Sequence, residues 1–153
     1  MRLSPNFSLA QLVYSDTANR QGIDNRPSDA HLANLRRLAA ALENVQMLLG
    51  SPLQISSGYR GPALNRAVGG ARDSRHTLGL AVDFICANYG SPLLVARAIA
   101  ASPMPFDQLI HEYGRWVHLG LATAANESRR QTLTICSTAS GYLEGLLECP
   151  SAG

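Results

Sequence analysis

Apolar residues at helical spacing mark the longest predicted element of the chain. Ser28 is a favourable N-cap, Asp29 suits the first turn, and Gly50 stands where C-terminal glycines are common. The apolar positions between them recur every three or four residues, at Leu32, Leu35, Leu38, Leu42, Val45 and Leu49. This pattern predicts a helix that begins after Ser28 and ends at Gly50, with its apolar stripe in the core.

Capping residues predict two further helices. A serine opens the segment 8–13, and a Ser-Pro pair opens the segment 91–100, which are favourable N-terminal sequences for helices. Residues 14–27 are expected to form an irregular, polar connection. Residues 58–79 are expected to be rich in loops, with one helical turn near 63–66.

Alternation of apolar and polar residues predicts the strands. We expect them at residues 52–57, 80–86, 106–112, 115–121 and 131–136. The third and fourth strands form a hairpin around Tyr113-Gly114, which is typical turn sequence. The fold class is therefore α+β, with a small antiparallel sheet and helices packed mainly on one side.

Length and composition fit one domain over residues 1–153. The chain has a hydrophobic content of 46% and a charged content of 16%, which are ordinary for a globular protein. The tail, residues 137–153, could dock as a short helix or remain loosely ordered. A net charge of +2 without a basic run argues against a nucleic-acid partner. No apolar stretch approaches the roughly 20 residues of a membrane span, and we expect a monomer.

The cysteines and the first residues bear on where the chain is made. Cys86, Cys136 and Cys149 cannot all pair within the chain, and their spacing fits neither a disulfide framework nor a Cys-x-x-Cys metal site. We therefore expect reduced thiols and synthesis in the cytoplasm. The N-terminal sequence does not resemble a signal peptide, so export would need outside help.

Two imidazoles and a carboxylate form the candidate metal site. His76 and Asp83 lie seven residues apart on either side of Gly79, which lets the backbone turn, and His118 follows in the predicted hairpin. Three such protein ligands leave the fourth position of a tetrahedral zinc open to water, as in catalytic zinc sites. The helical His-Glu-x-x-His zinc motif is excluded, because Arg115 stands where its second histidine belongs.

The register of the hairpin decides which side chain can serve as a general base. With a two-residue loop, His111 lies on the same face as His118, whereas a three-residue loop or a bulge places Glu112 there instead. The sequence leaves both registers open. We prefer Glu112 and keep His111 as the alternative.

The motif Ser-x-His-x-x-Gly-x-Ala-x-Asp, followed by Trp-Val-His, resembles that of the zinc D-Ala-D-Ala carboxypeptidase family, whose fold is shared with the Hedgehog signalling domain. The motif spans residues 74–83 and 116–118. Further similarity, at residues 7–12, 22–27, 57–60 and 68–70, points to the branch common in bacteriophages and prophages. The resemblance covers about Phe7 to Leu121.

This resemblance implies a Hedgehog/DD-peptidase-like fold and one Zn²⁺ per chain, held by His76, Asp83 and His118. It also implies that Arg60 binds a substrate carboxylate, through the bidentate fork that arginine offers, and that Ser74 and His111 contact the substrate. A glutamate just before the turn, here Glu112, is the implied base. The family usually carries an acid three positions before the last ligand, where this chain has Arg115.

The implied activity is that of a zinc metallopeptidase that hydrolyses peptidoglycan stem peptides at bonds involving D-amino acids. A phage or prophage lytic enzyme, an endolysin acting on the bacterial cell wall, fits the missing signal peptide. A host carboxypeptidase that trims D-Ala-D-Ala precursors in the cytoplasm is the alternative enzyme. A catalytically silent zinc domain that binds cell wall or a protein partner is the alternative outside enzymes.

Overall fold

In the described part of the chain, six strands form one mixed sheet in the order β1-β2-β4-β3-β5-β6. The structure, a computed structural model, describes residues 1–150, so the last three residues of the tail (151–153) lie outside the described residues. The strands are β1 (Gln54–Ser57), β2 (Ala81–Ile85), β3 (Gln108–Glu112), β4 (Trp116–Gly120), β5 (Gln131–Ile135) and β6 (Tyr142–Glu144). The α+β class is confirmed.

Within residues 1–150, five α-helices accompany the sheet. They are α1 (Leu9–Val13), α2 (Asp16–Gln21), α3 (Asp29–Leu49), α4 (Pro62–Ala67) and α5 (Pro92–Ala101), with 3₁₀ turns at Arg75–Leu78 and Ala125–Glu127. The capping predictions hold at α1, α3 and α5, where Ser8, Ser28 and Ser91 each accept a hydrogen bond from a first-turn backbone N–H. The predicted turn near 63–66 is the helix α4.

Helix α2 corrects the prediction of an irregular connection over residues 14–27. The Ser15 side chain caps it by accepting from the backbone N–H of Ala18, and Gly22 ends it with φ at 65°. Asp16 adds a favourable charge to the first turn. The start and stop signals were in the sequence, but the helix has too few apolar residues for periodicity to indicate it.

The sheet divides the molecule into two faces. The helix face carries Val82, Leu109 and Leu119, all fully buried, and packs against α3 and α5 in one hydrophobic core. The opposite face, which we call the site face, carries Asp83 and His118. Helices therefore cover mainly one side, as predicted.

Strand β5 is the exception in a sheet that is mostly antiparallel, as predicted, because β5 runs parallel to β3. The chain crosses over after β4, and two arginines fix the crossing. Arg129 makes two hydrogen bonds of 2.9 Å to the buried carboxylate of Asp107. Arg130 donates to backbone carbonyls at the end of α5 and lies 4.4 Å from the centre of the Phe106 ring. These contacts start β5 beside β3 in the parallel direction.

The described part of the tail is ordered by a strand and a disulfide, which corrects two expectations. Residues 142–144 form β6, antiparallel to β5, in place of a short helix or a loose end. Cys136 and Cys149 are bonded, with their Cα atoms 5.3 Å apart, whereas Cys86 is free and buried. The prediction of reduced thiols was wrong because three cysteines can still form one disulfide and leave one cysteine free. The organisation of residues 1–153 as a single domain stays a prediction.

Among the helices of residues 1–150, none combines the length and the apolar character that crossing a bilayer requires.

Candidate metal and active site

Asp83 and His118 face each other across the pairing of β2 with β4. The register makes them direct partners, so their side chains project from the same face of the sheet. The Asp83 Oδ1 and His118 Nδ1 atoms lie 3.0 Å apart. Two of the predicted ligands are therefore held on rigid neighbouring strands.

His76 reaches the same point from the 3₁₀ turn that precedes β2. Gly79 ends this turn with φ at 75°, a conformation that glycine adopts without strain. The His76 Nε2 atom lies 3.3 Å from Asp83 Oδ1, and the His76 and His118 rings meet at 5.1 Å between centroids. His76 is 2% exposed, so its ring is fixed by the surrounding chain.

A backbone carbonyl sets the tautomer of His76. The Nδ1 atom lies 2.7 Å from the carbonyl oxygen of Gly58, and because a carbonyl only accepts, Nδ1 carries the proton. The lone pair of Nε2 then points toward the oxygen of Asp83. Such hydrogen bonding of the distal nitrogen is typical of metal-binding histidines.

Gly58 has to be a glycine for this contact to form. A Cβ atom at this position would lie 2.3 Å from the carbonyl oxygen of Leu12. That close approach also lets Tyr59 donate a backbone hydrogen bond of 2.7 Å to Leu12. The end of α1 thereby fixes the carbonyl that orients His76.

The donor atoms fit a divalent metal. One nitrogen of each histidine and one oxygen of Asp83 lie within 4.8 Å of one another. An acceptor nitrogen of His76 and a carboxylate oxygen converge there, and such a pair needs a proton or a cation between them. Among residues 1–150, this is the group of histidine, cysteine and acidic side chains that could hold a metal ion.

Asp83 is held in its ionised form. Burial alone would raise the pKa of its carboxyl group, but the imidazoles of His118 and His76 beside it outweigh that effect and lower the pKa below its usual range. A deprotonated carboxylate is the form that binds metal.

Glu112 lies on the site face because the hairpin has a three-residue loop. It pairs with Trp116, and Tyr113 and Gly114 in the loop both have positive φ. The Glu112 Oε1 atom lies 4.0 Å from His118 Nδ1. Burial and the negative charge of Asp83 raise the pKa of the Glu112 carboxyl group.

The same register removes His111 from the site, which corrects its assignment as a substrate contact and alternative base. His111 pairs with Val117 on the helix face and is 3% exposed. Its Nδ1 atom lies 3.0 Å from the carbonyl oxygen of Leu147, in the tail. His111 therefore helps to hold the tail.

Arg60 and Ser74 lie beside the metal-binding group. The Arg60 side chain lies 3.4 Å from the hydroxyl of Ser74 at its nearest nitrogen, and its buried Nε atom has no hydrogen-bond partner. Burial lowers the pKa of the guanidinium, whereas the nearby charges of Asp83 and Glu112 raise it. A buried donor without a partner is available to a ligand.

Asn25 fixes the loop that carries Arg60, a role that the sequence did not indicate. Its side-chain nitrogen donates to the carbonyl of Tyr59 at 3.0 Å, and its side-chain oxygen accepts from the backbone N–H of Gly61 at 2.8 Å. The same nitrogen donates to the carbonyl of Val13. Asn25 lies in one of the segments that carry the family resemblance, and this resemblance was the signal in the sequence that could have pointed to it.

Comparison with known families agrees with this arrangement. The family model described as Peptidase M15 matches residues 5–120. This range includes Glu112, Arg60 and Ser74 as well as the three candidate metal ligands. No curated protein sequence matches the chain. Members of this family are zinc-dependent metallopeptidases, and the match covers well over half of the residues. The chain belongs to the Peptidase M15 family, the zinc D-Ala-D-Ala carboxypeptidase family that its motifs resemble.

Proposed function

We propose that this protein is a zinc peptidase that hydrolyses peptidoglycan stem peptides at bonds involving D-amino acids. The observation that carries the proposal is the convergence of one nitrogen each of His76 and His118 and one oxygen of Asp83 within 4.8 Å. Glu112 lies on the same face, 4.0 Å from His118. The family supplies the substrate class, and the side chains supply the chemistry.

The three donors would hold one Zn²⁺ per chain. Two imidazoles and one carboxylate are ligands that zinc prefers, and three protein ligands leave a position for water or substrate. When bound, zinc polarises a peptide carbonyl and lowers the pKa of a bound water molecule. The proton on His76 Nδ1, fixed by Gly58, keeps Nε2 free for the metal.

Glu112 is the proposed general base. A base must accept a proton from the attacking water and pass it to the leaving amine. Burial and the charge of Asp83 raise the pKa of Glu112, so its carboxylate binds a proton more strongly than an exposed glutamate does. Arg115, in place of the usual acid, is exposed, which leaves Glu112 as the acidic side chain of the hairpin on the site face.

Arg60 is proposed to bind a carboxylate of the substrate, and Ser74 to add a hydrogen bond. The guanidinium is partly buried, lies close to Ser74, and keeps an unpartnered Nε. A charge-assisted, bidentate contact would align the stem peptide at the metal.

We further propose that the protein is a phage or prophage lytic enzyme, made in the cytoplasm and acting on the bacterial cell wall as a monomer. Two alternatives remain in the test. A host carboxypeptidase would share the chemistry and differ in its substrate. A silent zinc domain that binds cell wall or a protein is favoured by Arg115, since the family usually has an acid there.

A muropeptide digest tests the proposal. The protein is assayed for zinc content, incubated with purified peptidoglycan, and the products are analysed by mass spectrometry, with a His76→Ala His118→Ala chain as the matched control. We expect zinc in the wild type and new peptide termini that the control does not produce. Zinc binding without new termini would favour the silent domain.

A digest of the free precursor pentapeptide alongside intact peptidoglycan separates the two enzyme alternatives. Cleavage of intact wall is expected of a lytic enzyme, whereas a host trimming enzyme would act on the free precursor alone.

A further inference from the structure

Four side chains form a row across the site face. Glu112 pairs with Trp116 on one side and with Ile135 on the other, and Ile135 pairs in turn with Tyr142. Residues that pair directly across neighbouring strands project from the same face of a sheet. The row therefore extends from the candidate base over β5 to the edge strand β6.

Tyr142 offers an accessible aromatic surface at the end of this row. It is 60% exposed, whereas Ile135, between it and Glu112, is 5% exposed. Partial burial raises the pKa of the Tyr142 hydroxyl, and the negative charge of Glu112 adds to this effect. Strands are spaced about 4.8 Å apart, so Tyr142 lies roughly 10 Å from Glu112 in the direction of the row.

The tail holds Tyr142 in this position. The buried Thr134 hydroxyl donates a hydrogen bond of 2.8 Å to the carbonyl of Gly145 and accepts one of 2.9 Å from the backbone N–H of Leu147. The disulfide between Cys136 and Cys149 closes the same segment. An aromatic side chain on a fixed strand loses little conformational entropy when it binds a ligand.

We propose that the exposed side chain of Tyr142, next to the buried Ile135, forms an apolar shelf that binds the part of the substrate on the amino-terminal side of the scissile bond. This inference rests on the proposed function. The family match ends at residue 120, so the shelf belongs to β5 and β6, beyond the matched region. It would give this chain a substrate preference of its own.

The direction of the substrate follows from the position of Arg60. Arg60 follows β1, at the edge of the sheet opposite to β6. If Arg60 holds a carboxylate on the carboxyl-terminal side of the scissile bond, the chain leading to the amino terminus extends away from β1, toward β5 and β6. An extended peptide advances at most about 3.3–3.6 Å per residue. The roughly 10 Å from Glu112 to Tyr142 takes about three residues, so the third residue before the scissile bond, or the one preceding it, reaches Tyr142.

Two probes that differ only on the amino-terminal side test the shelf. One is a purified disaccharide-pentapeptide, and the other is an N-acetylated dipeptide spanning the same scissile bond. Both are assayed for kcat/KM with the wild type, Tyr142→Ala and Tyr142→Phe. Leu143→Ala is the matched control, because Leu143 is on the same strand, is 41% exposed, and pairs with Thr134 on the helix face.

We expect Tyr142→Ala to lower kcat/KM for the long probe by roughly 5- to 30-fold, the range for losing a partly buried aromatic contact. Cleavage of the dipeptide and the zinc content should stay at wild-type levels. Tyr142→Phe should retain most activity, since the ring makes the contact, and Leu143→Ala should match the wild type.

Equal losses on both probes, or no loss on the long probe in an active enzyme, would overturn the shelf. A wild type that cleaves neither probe would instead overturn the proposed function. In that case, calorimetry measures the binding of the two probes to the wild type and to Tyr142→Ala, and this comparison tests whether the shelf binds substrate. Weaker binding of the long probe alone supports the shelf, and equal binding contradicts it.

Discussion

Glu112 Oε1 lies 4.0 Å from His118 Nδ1, and both side chains project from the same face of the β3–β4 hairpin. The preceding residue, His111, points to the other face and contacts the tail. One residue of register therefore separates a candidate base at the metal-binding group from a buried structural histidine. The two neighbours can be tested against each other.

Replacing Glu112 with glutamine should lower kcat by about 10²–10⁴-fold, the usual contribution of general acid–base catalysis. Glutamine keeps the size of the side chain but cannot accept the proton. Turnover of a stem peptide and zinc content are measured together, and zinc content should change little. His111→Gln is the control and should affect thermal stability more than kcat. A larger loss of kcat in His111→Gln would return the base to His111.

Removing both imidazoles should abolish metal binding. His76→Ala His118→Ala leaves only Asp83 of the three donors, which is too few for a tight zinc site. Zinc per chain is measured by mass spectrometry after dialysis, and we expect about one in the wild type and almost none in the variant. Replacement of His31, a histidine outside the group, by alanine is the control. Stoichiometric zinc in the double variant would refute the ligand set.

Arg60→Lys should lower kcat/KM by about tenfold or more although the positive charge is kept. Lysine is a point charge without the planar fork that binds a carboxylate at two atoms. Arg66→Lys, at an exposed position of α4, should leave kcat/KM unchanged. Zinc content should equal that of the wild type in both. Normal kinetics in an Arg60→Ala chain would show that Arg60 serves only the fold.

Reducing the disulfide should lower the free energy of unfolding by about 2–3 kcal/mol, since closing a loop of this size restricts the unfolded chain. The two cysteines are 13 residues apart. Urea unfolding is followed with and without a reductant. A Cys136→Ser Cys149→Ser chain should resemble the reduced wild type and should not respond to the reductant. Identical midpoints for all samples would mean that the bond adds no stability.

Asp107 should make stability depend on pH in the acid range. Hydrogen bonds from Arg129, followed by the charge of Arg75, lower the pKa of its carboxyl group below the ordinary 3.8. The folded form therefore binds a proton less readily than the unfolded form does. The stabilisation is present above about pH 4 and is lost as the pH falls through the lowered folded-state pKa.

Asp107→Asn should accordingly cost about 1–2 kcal/mol at pH 7, a figure reduced by the solvent exposure of both arginines. The difference from the wild type should shrink toward pH 2.5 in urea titrations. Asp73→Asn, at an exposed loop position, is the control and should give no difference at either pH. A constant difference across the range would contradict the argument.

Local sequence signals predicted the parts of the fold that depend on local interactions. Caps at Ser8, Ser28 and Ser91 marked helix starts, and the alternation in β2 placed Asp83 on the site face. The motif around His76 predicted which donors would converge. Each of these features depends on a few consecutive residues.

The features that the sequence could not predict depend on long-range contacts. The parallel pairing of β5 depends on Arg129 and Arg130 reaching back to residues 20 or more positions earlier. The choice between His111 and Glu112 depended on a loop with positive φ at Tyr113, which is uncommon for a residue other than glycine. The position of Tyr142 in a row with Glu112 follows only from the pairing of β6 with β5, which the sequence did not indicate.

The three donors come from two kinds of structure, and this shapes how the apo and metal-bound forms differ. Asp83 and His118 are strand neighbours that the sheet already brings together, whereas His76 belongs to the segment between β1 and β2. A bound metal would link that segment to the sheet through coordinate bonds. Metal binding would thus join the 3₁₀ turn directly to the sheet, and the loop carrying Arg60 with it, since Arg60 donates its backbone N–H to the carbonyl of His76 at 2.9 Å.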